Sequence, residues 1–131
     1  MPTIAWIEDD IDIIYPVVRP LERAGFKIEK FHSTTEAREG VQKILRADLI
    51  LLDAIVPPAS TGRPEGLEFL QWLREQGKTV PPVVVFTVVT DPDVHQAFRD
   101  LGVRDIVRKP ALPSELKAKV EAALAPPSPG D

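Results

Sequence analysis

A chain of 131 residues with 44% hydrophobic and 27% charged side chains and a net charge of −4 has the make-up of one folded domain rather than a disordered segment. Cysteine is absent, which excludes disulfide frameworks, thiolate metal sites and cysteine nucleophiles. With 20 acidic against 16 basic residues, no apolar run near the roughly 20 residues that span a bilayer and no basic leader, the expectation is a cytoplasmic protein that binds neither nucleic acid nor membrane.

Residues 3–7 are a short apolar run ending in Glu8-Asp9-Asp10, which reads as a buried strand. A helix is expected over 11–24, with Pro16 in its first turns and a kink at Pro20, which lacks a backbone donor. Residues 26–31 alternate more and read as a strand nearer an edge. From 33 to 47, the Ser33 and Glu36 capping pair and the spacing of Ala37, Val41, Ile44 and Leu45 predict one long helix. A second buried strand, 48–52, ends at Asp53. The Pro-rich stretch 56–66 reads as a long loop beside that end, and 66–76 as an amphipathic helix closed by Gly77. After a strand at 83–87, Asp91 caps a helix that starts at Pro92 and ends at Leu101-Gly102. A strand at 103–107 and a helix at 113–124 complete residues 1–125 as one domain, and 126–131 reads as a tail or linker. Trp6, Phe69, Trp72 and Leu73 read as core, and His32 and His95, which lack ligand spacing, as surface or capping residues. Five alternations of strand and helix predict an α/β fold, a doubly wound five-stranded parallel sheet with five helices.

In such a sheet, ligands bind beyond the carboxyl ends of the strands, where the strand order reverses. Those ends carry Glu8, Asp9 and Asp10, then Asp53, Thr87 and Lys109. Converging carboxylates repel one another, so some take up protons or a divalent cation neutralises them. Oxygen-only ligands favour Mg²⁺, which keeps several waters and works with phosphate oxygens. The implied substrate is a phosphoryl group. Aspartate is a covalent acceptor in such transfers, so Asp53 is the natural nucleophile, with the Thr87 hydroxyl and the Lys109 ammonium neutralising charge on the transferring oxygens.

The set Ile7-Glu8-Asp9-Asp10, Asp48-Leu49-Ile50-Leu51-Leu52-Asp53, Thr87 after an apolar strand, Gly102 and Lys109-Pro110 resembles the receiver domain of two-component response regulators over about residues 3–125. The resemblance implies the strand order 2-1-3-4-5 and Asp53 as the phosphoacceptor. It implies that Asp9 binds Mg²⁺ directly, that Glu8 binds it largely through water, and that the backbone carbonyl of Ile55 completes the protein ligands. Asp10 is left to cap the first helix. Thr87 then follows the phosphoryl group and Lys109 bridges to it, repositioning the face made by the fourth helix, fifth strand and fifth helix. Pro110 implies a cis Lys109-Pro110 bond. The phosphodonor implied is a histidine kinase or a histidine phosphotransfer protein, and output passes through protein contacts, the same face being available for a homodimer. Such a domain catalyses only its own phosphorylation and dephosphorylation.

Some positions depart from the family's pattern. Ile106 stands where an aromatic switch residue is usual, so transmission needs an aliphatic shift or another route. Val88 replaces a small residue and is expected to narrow access to Asp53. Ile55 and Val89 carry no group that can orient a water, which predicts a long-lived phosphorylated state. One competing reading is a pseudo-receiver, an interaction domain that works without phosphorylation, motivated by Val88 and Ile106. A magnesium-dependent phosphatase or nuclease is the other, disfavoured by Ile55 in place of a second acid and by the acidic composition.

Overall fold

A computed structural model describes residues 2–55 and 64–125. Its elements run β1 (Thr3–Ile7), α1 (Ile11–Arg23), β2 (Lys27–Phe31), α2 (Thr34–Glu39), α3 (Val41–Arg46), β3 (Leu49–Leu52), α4 (Glu65–Glu75), β4 (Val83–Thr87), α5 (Pro92–Asp100), β5 (Asp105–Arg108) and α6 (Pro113–Leu124). The strands form one parallel sheet in the order β2-β1-β3-β4-β5, as expected. Most of the loop expected at 56–66 and the tail expected at 126–131 lie outside the described residues. Among the described residues no helix is long and apolar enough to cross a membrane.

The period-2 geometry of a strand sorts the apolar runs into two cores. Ala5, Ile7, Ile50, Leu52, Val83 and Val85 face Ala37, Ile44, Leu67, Phe69, Leu70, Leu73 and Phe98 from α2 to α5. Ile4, Trp6, Leu49, Leu51, Val84, Phe86 and Val107 face Ile11, Val18 and Leu21 of α1 and Leu116, Val120 and Ala123 of α6. Trp6, Phe69 and Leu73 are buried as expected, each such side chain contributing about 1.5–3 kcal/mol by leaving water. Trp72 is half-buried, packing at a tilt on Phe69 with the Arg38 guanidinium over its ring.

One helical expectation needs correction. The single helix expected over 33–47 is two short helices, so the described residues hold six helices rather than five. Ser33 does cap the first, accepting from Glu36 N–H at 3.0 Å, but the Glu36 carboxylate returns to His32 N–H at 2.6 Å instead of to the cap residue. The break falls at Gly40 (φ −96°, ψ 21°), whose backbone passes so close to Phe31 that a Cβ there would lie 2.6 Å from ring atom Cε1. In α1, by contrast, the helix is unbroken through Pro16 and Pro20, with Val18 and Leu21 buried between and beyond them. Packing of that face overrides the loss of two backbone donors.

Candidate functional site

The site is assembled by backbone hydrogen bonds that carry the sheet one residue beyond its strands. Glu8 N–H donates to Phe31 O at 3.0 Å, Asp53 N–H to Ile7 O at 3.1 Å and Lys109 N–H to Thr87 O at 2.9 Å. These bonds bring the polar residues after β1, β3 and β5 to one edge of the sheet. The chain reverses its direction of winding between β1 and β3, and this is where Glu8 and Asp53 stand.

Glu8 is 1% exposed and Asp53 7% exposed. Lys109 Nζ lies between them, donating to Asp53 Oδ2 at 3.0 Å and making a short hydrogen bond to Glu8 Oε1. The same ammonium sits 5.3 Å from the centroid of the Phe86 ring, a contact the sequence did not suggest. Lys109-Pro110 is cis. Burial pushes the Glu8 carboxyl up to about 7, with the charge of Asp53 adding to the rise and Lys109 opposing it. Burial alone would lower Lys109, but its bonds to Glu8 and the charges of both carboxylates outweigh that and hold the ammonium above its ordinary range. The two buried acids thus share one compensating charge, the Lys109 ammonium.

Asp53 Oδ1 accepts from Ile55 N–H at 3.2 Å, and Thr87 Oγ1 from Val89 N–H at 3.2 Å. The Thr87 side chain is buried at the end of β4. Ligand oxygens of Glu8, Asp9 and Asp10 can lie within 4.8 Å of one another, Glu8 buried and the other two exposed. An oxygen-only donor set beside a buried aspartate fits a hard dication such as Mg²⁺. Asp10 does occupy the cap position of α1, but its side chain makes no capping hydrogen bond, so the capping role expected of it is not realised and its carboxylate stays with the acidic group.

Other predicted positions lie around this pocket. Val88 is 64% exposed, so it spreads apolar surface beyond β4 and is not packed inward as a plug. Ile106 is half-buried against the core under α2 to α5. His95, expected as a surface or capping residue, has a part-buried ring hydrogen-bonded to Val89 O. Gly66, which the sequence marked only as the end of a loop, packs on the acceptor segment, its N–H bonded to Ala54 O at 2.8 Å. Neither contact has a signal in local spacing, because each joins segments through the fold.

A family model described as the response regulator receiver domain matches residues 4–121. The chain is 30% identical over 130 residues to the phosphate regulon transcriptional regulatory protein PhoB of Pseudomonas aeruginosa, covering 98% of this chain and 54% of that protein. It is also 30% identical over 125 residues to the response regulator MprA of Mycobacterium leprae, covering 95% and 52%. The chain thus spans about half the length of these curated relatives. Among solved structures, a two-component response regulator from Clostridium difficile superposes with a TM-score of 0.81 at 25% identity, covering 95% of this chain and 96% of that one. The chemotaxis protein CheY4 of Vibrio cholerae superposes with a TM-score of 0.79 at 27% identity, covering 94% and 98%. Sheet order, the acids and lysine at the strand ends, and these likenesses agree: the chain belongs to the receiver domains of two-component response regulators.

Proposed function

We propose that this receiver domain accepts a phosphoryl group on Asp53 from a histidine kinase or a histidine phosphotransfer protein. The observation that carries the reading is the state of Asp53: nearly buried at the switch point, one carboxylate oxygen held by Lys109 Nζ and the other by Ile55 N–H. Both bonds aim the nucleophile without consuming its charge. In the transfer, an Asp53 oxygen bonds to phosphorus as the phosphorus–nitrogen bond of the phosphohistidine breaks, returning the electron pair to the imidazole. Lys109 and the Thr87 hydroxyl are the groups that would donate to the phosphoryl oxygens. Asp9, the Ile55 carbonyl and, largely through water, Glu8 are the residues that would hold Mg²⁺, which when bound supplies positive charge to those oxygens. Output passes to a protein partner through the face of α5, β5 and α6, which also offers a surface for self-association.

Intact-protein mass after incubation with acetyl phosphate and Mg²⁺ tests this. One added phosphoryl group is expected, absent with EDTA and absent in Asp53→Asn. A label that survives in Asp53→Asn would place the acceptor elsewhere. No label in the native protein, even with Val88→Ala, would favour an interaction domain that works without phosphorylation.

Ile55 and Val89 engage the site through backbone groups, and neither side chain can orient a water. The phosphorylated state is therefore expected to be long-lived. Placing polar groups there in an Ile55→Asn, Val89→Glu variant is expected to shorten its half-life about tenfold, by supplying groups that position the hydrolytic water. Equal decay of the two phosphoproteins, followed by mass, would count against this.

A further inference from the structure

We propose that His95 is a positioning residue for phosphoryl transfer, a latch that holds the Thr87 hydroxyl in its resting place. This role rests on Asp53 being the phosphoacceptor. Val89 is gripped from both sides: its N–H donates to Thr87 Oγ1 at 3.2 Å, and its carbonyl lies 2.7 Å from His95 Nε2. A carbonyl only accepts, so Nε2 carries the hydrogen and the ring donates it. The ring stands on a firm base. His95 N–H donates to Asp91 O at 3.1 Å within the first turn of α5, and the Asp91 carboxylate accepts from Asp93 N–H at 2.9 Å, capping the helix.

In the proposed latch, Thr87 Oγ1 turns away from Val89 N–H when it serves a phosphoryl group on Asp53. A Val89 tied by its carbonyl to α5 cannot follow, so the move strands a donor in a part-buried loop. The His95 bond thus favours the resting arrangement and opposes the one in which Thr87 serves the transfer. Losing it frees the 87–89 segment to move as a unit. One neutral hydrogen bond is worth about 1 kcal/mol, which converts to about a fivefold change in rate or population.

Three proteins decide the matter: the native chain, His95→Leu, which keeps bulk but cannot donate, and His95→Gln, whose side-chain amide offers a donor at similar reach. With acetyl phosphate and Mg²⁺, His95→Leu is expected to label about fivefold faster than native, and His95→Gln within about twofold of native. Equal rates in all three, or a slower His95→Leu, would overturn the latch, and so would His95→Gln behaving like His95→Leu. If the native protein takes up no label, the Asp53 reading fails and exchange of the Val89 amide in the unlabelled proteins decides alone. Exchange about fivefold faster in His95→Leu than in native and His95→Gln supports the latch, and equal exchange overturns it.

Discussion

Replacing Gly66 by alanine is expected to cost about 3 kcal/mol and lower the melting temperature by about 10 °C, a large effect for one methyl group. A Cβ at Gly66 would lie 2.0 Å from Asp53 O and 3.0 Å from both Asp53 C and Ala54 Cα. All three are backbone atoms of the acceptor segment, so no flexible side chain can give way. Either the start of α4 lifts and loses the Gly66 N–H to Ala54 O bond, or Asp53 is displaced. Labelling of Asp53 is expected to fall along with stability, because the nucleophile's own peptide is what the methyl group strikes. The exposed Glu75 at the other end of α4 provides the control, since Glu75→Ala there is expected to change stability by less than about 0.5 kcal/mol. Thermal unfolding of the two variants side by side separates a local clash from a general weakness of the helix.

Removing the Lys109 ammonium is expected to be as damaging. In Lys109→Met, Glu8 and Asp53 lose the charge they share inside the pocket, and breaking a buried pair by removing one partner costs about 3–5 kcal/mol. The loss depends on pH, and its sign follows from Glu8. Its carboxyl is raised from 4.5 to about 7 by burial, so its folded form binds a proton more readily than its unfolded form. Stability from that group is therefore present at low pH and falls as pH rises from 4.5 through about 7. Without Lys109 the carboxyl rises further, so the gap between variant and native is expected to be small at pH 5 and widest at pH 8. Added Mg²⁺ is expected to recover part of the loss at pH 8 by supplying another positive charge to the same acids. A gap that is flat from pH 5 to pH 8 in urea unfolding would show that Lys109 acts through packing on Phe86 rather than through charge.

The strands were legible because a buried parallel strand is a run of apolar residues, and β1, β3 and β4 are such runs. The polar residues that end those runs were legible as a cluster for the same reason, since a parallel sheet sends every strand end to one edge. What sequence could not supply was anything decided by contact between distant segments. Gly40 adopts angles open to any residue, and only the Phe31 ring beside it explains why a residue without a Cβ stands at the break. Pro16 and Pro20 each remove a backbone donor from α1, and burial of Val18 and Leu21 goes with a helix that runs through both. Gly66 against Asp53 and His95 against Val89 are likewise pairings across the fold, with no period or spacing to announce them.

The bridge made by Lys109 also has a bearing on how the protein is made. Its partners precede it by 101 and 56 residues, so during translation both acids leave the ribosome long before the cation that compensates them. At about 5–20 residues per second, the interval between Glu8 and Lys109 is roughly 5–20 s. Throughout it, pairing β1 with β3 brings Glu8 and Asp53 together without the Lys109 ammonium, so a proton on Glu8 or a bound cation has to take its place. The residue that follows the last strand thus brings the charge that completes the pairing of β1 with β3, and a chain halted before Lys109 is added would lack it.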